Sequence, residues 1–227
     1  MYSNKTTKSV ILTLALILTS TLGFNQTNEI KIKFIGNCGL HLTDGDLNIY
    51  VDFPYKSGAF NYMEFDKSEL DSIKENSIFL FTHKHPDHYS IKNMRKTLRK
   101  KHGKKYGKWN LKKLEQLCNS MQDFTITPIE TNHSLSFTHY SYLLTWHGKR
   151  IYLYGDTETS DIALTMTNLD WAFIPYWTAL QINKKNAHLD SKMIGVYHFY
   201  PAMQPTTSNP EKIKLLTNQG DIISIPY

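Results

Sequence analysis

His83-Lys84-His85-Pro86-Asp87-His88 packs four potential metal ligands into six residues. The run begins where Ser77-Ile78-Phe79-Leu80-Phe81 ends, a continuous apolar stretch of the length of a buried strand. Strand ends are where a rigid sheet presents functional loops. His83 and His85 are two apart, so in extended backbone both imidazoles point the same way and can share one ion. Pro86 stops regular strand geometry, and the turn after it can aim Asp87 and His88 at a neighbouring point. Nitrogen and oxygen donors of this kind suit zinc first, with iron or manganese as alternatives. A lone histidine is usually a surface or satisfied core residue. With 10 histidines in 227 residues, however, this pattern arises by chance on the order of once per thousand such chains.

Outward from the motif, the chain reads mainly as strands. Residues 30–35 alternate apolar and polar, as a half-buried strand does. Asp44-Gly45 is a hairpin signal joining residues 40–43 to 47–52. Asp66-Lys67-Ser68-Glu69 opens a short helix. Downstream, residues 91–121 are basic with helical spacing, interrupted by Gly103 and Gly107. Strands are expected over 124–129, 140–146 and 150–154, with His147-Gly148 as the turn between the last two, and a helix over 160–167. Strand-like runs follow at 171–174 and 194–197, and Pro210 suits the first turn of a helix over 211–216. Residues 222–225 read as a closing strand. This order predicts an α+β protein with two sheets packed face to face and helices outside.

With 41% hydrophobic and 20% charged residues, the chain can bury one sizeable core, which excludes a disordered protein. Lys5 and Lys8, the apolar run Val10 to Leu18 and the small or polar residues ending at Gly23 have the order of a secretory signal peptide. The expected organisation is therefore a signal peptide over residues 1–23 and one domain over 24–227, exported to the periplasm or secreted. Cys38 and Cys118 would then meet an oxidising compartment, but two widely spaced cysteines read as independent buried thiols. The net charge of +6 favours anionic partners.

The His-x-His-x-Asp-His run resembles the signature of the metallo-β-lactamase-fold hydrolases, and the chain from Ile30 to Tyr227 is similar to that family in motif order. The resemblance implies a four-layer αββα sandwich. It also implies a third histidine at His133 in Thr131-Asn132-His133-Ser134, an aspartate at Asp156 in Gly155-Asp156-Thr157, and a last histidine at His198. One divalent ion, zinc by preference, would be held by His83, His85 and His133. A second would be held by Asp87, His88 and His198, with Asp156 bridging. His139 rivals His133, which is preferred because a hairpin separates it from Asp156 as the family pattern expects. Asp52 is expected to support the metal loop through hydrogen bonds.

The implied chemistry is attack by metal-bound hydroxide on an ester or phosphodiester, with Asp87 and Asp156 as the catalytic carboxylates. The alternatives are a β-lactam-hydrolysing enzyme and a metal-binding module without turnover. A bridging aspartate argues against the true β-lactamases of this fold, which generally lack it. The eleven cations between Lys92 and Lys113 suit a small anionic substrate or a peripheral membrane contact, and export speaks against nucleic acid. Aromatic residues beside the ligand loops, Phe53, Tyr55, Tyr89, Tyr176, Trp177, Phe199 and Tyr200, are expected as pocket walls.

Overall fold

The computed structural model describes residues 28–134 and 136–227. The segment read as a signal peptide lies outside the described residues. Among the described residues, twelve strands form two six-stranded mixed sheets. The first has the order β12-β1-β2-β3-β4-β5, built from β1 (Glu29–Gly36), β2 (Gly39–Thr43), β3 (Asn48–Val51), β4 (Ile78–Leu80), β5 (Lys104–Tyr106) and β12 (Ile222–Pro226). The second has the order β11-β10-β9-β8-β7-β6. It uses β6 (Phe124–His133), β7 (Ser136–Trp146), β8 (Lys149–Leu153), β9 (Leu169–Pro175), β10 (Ser191–Tyr197) and β11 (Ile213–Leu215).

Alternation along the strands sorts side chains into three apolar layers. Between the sheets, Ile32, Leu40, Ile49, Val51 and Leu80 pack with Tyr142, Leu144, Ile151 and Phe173. The outer face of the first sheet gives Tyr50, Phe79 and Phe81 to a cluster with Met94 of α2 (Ile91–Lys101). The outer face of the second gives Tyr152, Ala172 and Ile194 to a cluster with Ala163 of α4 (Asp161–Thr165) and Ile182 of α5 (Tyr176–Lys184). Helices therefore cover both outer faces, in the four layers expected. Two further helices are α1 (Ser68–Ser72) and α3 (Leu111–Asn119).

Two local expectations need correcting. The basic stretch is two helices separated by β5, which pairs in parallel with β4. His102 ends α2 in the left-handed conformation at φ 53°, and a Cβ on Gly103 would lie 2.5 Å from the Phe79 ring. That glycine lets the chain drop against the sheet edge. Residues 211–216 hold β11 instead of a helix. The edge of β10 offers unpaired backbone groups, and Ile213 pairs with Ile194 while packing its side chain into the outer cluster. Helix α5 was not foreseen; it starts at Pro175 without a capping side chain, so nothing local announces it. Among the described residues no helix is long and apolar enough to cross a membrane.

Candidate metal centre

The chemistry gathers at the carboxyl ends of strands from both sheets. Just past β3, Asp52 is buried with φ 46°. It accepts three hydrogen bonds: from the Thr82 amide (2.8 Å), the Thr82 hydroxyl (2.8 Å) and His88 Nδ1 (2.9 Å). The Thr82 hydroxyl has one proton, and it goes to the Asp52 carboxylate. Its oxygen must then accept from His83 Nδ1 at 3.0 Å, which leaves the lone pair of His83 on Nε2. His83 Nε2 is buried without a hydrogen-bond partner. The same carboxylate holds the proton of His88 on Nδ1 and turns Nε2 inward. One buried aspartate thus sets the tautomers of two histidines.

The motif turn closes with the His88 and Tyr89 amides both bonded to the His85 carbonyl (2.9 and 2.8 Å). Two donor groups result. The first unites His83 and His85 with His133 from the end of β6, and His133 Nε2 lies 3.0 Å from His85 Nδ1. In the second, Asp156 Oδ2 lies 3.0 Å from His88 Nε2 and 3.1 Å from His198 Nε2, and the two imidazole nitrogens are 3.3 Å apart. Asp87 Oδ2 approaches the same nitrogens at 3.6 and 3.4 Å. Asp156 Oδ2 is also 4.0 Å from His133 Nε2, so this oxygen stands between the two groups. All seven residues singled out in the sequence, His83, His85, Asp87, His88, His133, Asp156 and His198, meet here.

His139 has a different place. Its Nε2 accepts the Asp156 amide at 2.9 Å, so its proton sits on Nδ1 and is donated to Thr131 Oγ1 at 2.6 Å. Both ring nitrogens are committed to holding the Gly155-Asp156-Thr157 turn, and burial pushes the group down to about 3. Gly155 has φ +64°, and a Cβ there would lie 2.7 Å from His139 Nε2 and 2.8 Å from Thr82 Cγ2. Only glycine lets this turn sit against the motif strand.

Neither a family model nor a curated protein matches the sequence. Solved structures do. A metallo hydrolase from the archaeon Ignicoccus hospitalis superposes with a TM-score of 0.66 at 14% identity, over 88% of this chain and 99% of that one. The metallo-β-lactamase-fold protein YhfI of Bacillus subtilis gives a TM-score of 0.60 at 14% identity, over 87% and 99%. A Parabacteroides distasonis protein assigned to the metal-dependent hydrolases gives 0.56 at 21% identity, over 84% and 94%. The chain has the metallo-β-lactamase fold.

Within this metallo-β-lactamase fold the electrostatics are lopsided. Three buried carboxylates, Asp52, Asp87 and Asp156, crowd one place, and their ion-pair partners among the described residues are histidines only. Burial alone would lower His88, but Asp156, Asp52 and Asp87 hold its imidazolium well above the usual histidine value. Burial would lower His198 too, but Asp156 holds it above the usual histidine value. Burial raises Asp156, yet the His198 and His88 charges hold it well below the usual carboxylate range. His83 goes the other way, driven well down by burial and then by the His88 charge. His83 is therefore held neutral, while the carboxylates and the two imidazoles of the second group favour each other's charged forms.

Aromatic rings flank His198. Tyr62 sets its ring edge-on to His198 at 4.2 Å and stacks on Tyr200 at 4.3 Å, and Trp177 lies 4.9 Å from His198. Phe53, Tyr55 and Tyr89 belong instead to the outer core of the first sheet, and Phe199 to that of the second. Sequence reasoning missed Asn37, Cys38 and Tyr62. Asn37 donates to the Asp87 carbonyl at 2.9 Å, and Cys38 Sγ is 3.7 Å from Asp156 Oδ1. The tight turn Gly36-Asn37-Cys38-Gly39 was the available signal for the first two. Tyr62 lies in an irregular loop with no signal of its own.

Proposed function

We propose that this protein is a dinuclear metal-dependent hydrolase of a small anionic ester or phosphodiester. The observation that carries the reading is the buried, partnerless lone pair of His83 Nε2 beside a second group with three carboxylates and, among the described residues, no lysine or arginine paired to them. A buried unpaired acceptor and concentrated buried charge are both costly in a metal-free protein. A cation at each group relieves both costs, so the residues fit the ions. His83, His85 and His133 would hold one; Asp87, His88 and His198 the other, with Asp156 shared.

Bound as a pair, such ions supply a nucleophile at neutral pH and stabilise negative charge. The protein's own groups supply orientation. Asp52 and Thr82 keep His83 and His88 in the ligating tautomer, and His139 holds Asp156 through its backbone. Asp87 keeps Oδ1 free of hydrogen bonds, available to orient or receive a proton. Tyr62, Tyr200 and Trp177 give an apolar substituent a surface. The shared carboxylate favours a phosphodiester over a β-lactam.

Metal analysis of the purified protein with a substrate panel tests this. Two zinc equivalents are expected, with turnover of bis-p-nitrophenyl phosphate exceeding that of nitrocefin, and Asp156→Ala should abolish turnover with the circular dichroism retained. A stoichiometry of one or less overturns the dinuclear reading, and faster nitrocefin turnover replaces it with a β-lactamase.

A further inference from the structure

The turn between β1 and β2 has only two residues outside the strand pairing, since Gly36 pairs with Gly39. Asn37 takes φ 50° there, donates its side-chain amide to the Asp87 carbonyl, and accepts the His198 amide on its own carbonyl at 3.3 Å. The turn is thus fastened to both loops that carry the second donor group. Its other residue is Cys38, 1% exposed.

We propose that Cys38 is a ligand of the second ion, its sulfur joining His88, His198 and Asp156. The inference rests on the metal-centre reading above and adds a donor that the family resemblance does not supply. Sγ of Cys38, the imidazole nitrogens of His88 and His198 and a carboxylate oxygen of Asp156 all lie within 4.8 Å of one another. In a tetrahedral zinc site, nitrogen ligands ~2.0 Å from the metal stand about 3.3 Å apart, and sulfur at ~2.3 Å stands about 3.5 Å from its neighbours. The His88–His198 separation of 3.3 Å matches that spacing; Cys38 Sγ stands 3.7 Å from Asp156 Oδ1, the oxygen beside the one that faces the imidazoles, and within 4.8 Å of the whole set, so the sulfur must close in as the ion binds.

A second observation points to a ligand at this place. Asp87 is buried, holds Oδ2 against both imidazoles and leaves Oδ1 without a hydrogen bond. A thiol that only filled core space would not need three titratable groups around it. Cys118 is the contrast: it is buried and free, but its sulfur accepts the Ile126 amide at 3.3 Å, away from the site. Ion binding breaks the Cys38 S–H bond, sends the proton to solvent and forms a metal–sulfur bond, with no change of oxidation state. A sulfur donor also shifts the second position towards zinc, cobalt and cadmium and away from magnesium and manganese.

X-ray absorption at the zinc edge of the unmutated, two-zinc protein is the direct test. A sulfur scatterer at ~2.3 Å is expected among the nitrogen and oxygen shell. Cobalt titration adds the assignment. The second equivalent should bring a sulfur-to-cobalt charge-transfer band, lost in Cys38→Ala and in Cys38→Ser, and kept in Cys118→Ala. Cys38→Ala should weaken the second equivalent by ~100-fold or more, beyond the loss of an outer hydrogen-bond partner, and leave the first unchanged. Metal bound without sulfur, or a band that survives Cys38→Ala, overturns the cysteine and leaves the hydrolase reading standing. A protein that takes up no metal overturns both.

Discussion

Asp52 shows how much one buried carboxylate can organise. Its Oδ1 takes the Thr82 amide, and its Oδ2 takes both the Thr82 hydroxyl and His88 Nδ1. Asp52→Asn keeps the shape but must put a donor amide where one oxygen was. If the amide replaces Oδ2, His88 Nδ1–H faces another N–H, and the ring, once neutral for ligation, is driven to keep its one proton on Nε2, the atom meant for the metal. Asp52→Asn is therefore expected to cost about 1.5–3 kcal/mol in denaturant unfolding of the metal-free protein, the loss of a buried charge-assisted bond. Metal affinity should fall about 10–100-fold. An Asp52→Asn protein with unchanged zinc affinity by competition titration would show that His88 needs no such orientation. Asp52 could be read as a supporting residue from its position before Phe53-Pro54; the tautomer logic depends on Thr82, which no motif marks.

At the scale of elements, α2 is the clearest case of a helix with two roles. Met94 and Thr97 face the sheet, while Lys92, Arg95, Lys96, Arg99 and Lys100 are exposed. Among the described residues none of these five cations has an ion-pair partner. The helix begins at Ser90, two residues past His88, where the Ser90 hydroxyl caps the Asn93 amide. Its charges thus begin four residues after His88 in the chain, on the helix that covers the outer face of the first sheet. Lys105, by contrast, bonds to the Tyr89 hydroxyl and lies over the Trp109 ring, so it is part of the framework. Replacing Lys92, Lys96, Arg99 and Lys100 together by glutamine should raise KM for an anionic substrate ~3–10-fold at low salt and leave a neutral one unchanged. The difference should vanish as the screening length falls from ~10 Å at 0.1 M salt to ~3 Å at 1 M. Equal KM values for both substrates in the variant would reduce the face to a solubilising surface.

Over the whole molecule, the donor set joins the two sheets. His83, His85, Asp87 and His88 follow β4 in one sheet, and His133, Asp156 and His198 follow strands of the other. The ions proposed for this site would bind the folded state in preference to the unfolded chain. Free metal at ~1,000 times its dissociation constant should then add about 4 kcal/mol, a rise of about 8–16 °C in Tm for a chain of this size. A melting curve with and without chelator checks this, and an unchanged Tm would mean that the ions do not cross-link the sheets. The α+β architecture and the ligand run from His83 to His88 were legible in the sequence because they rest on local patterns, strand periodicity and ligand spacing, whereas His133, Asp156 and His198 were implied by the family resemblance. The preference for His133 over His139 came from resemblance. Its physical basis is that His139 spends both ring nitrogens on Thr131 and Asp156, a contact across the β6–β7 hairpin that spacing does not encode. Strands β5 and β11 went unread because an unpaired sheet edge, not local propensity, made them extended. Tyr62 went unread because it lies in an irregular loop, and the turn that carries Cys38 is visible in the sequence while its neighbours are not. The sequence by itself determined which residue types could bind metal and where strands would present them. Only the tertiary structure decided which ring nitrogens are left bare and which thiol lies among the carboxylates, because those follow from hydrogen bonds between segments far apart in the chain.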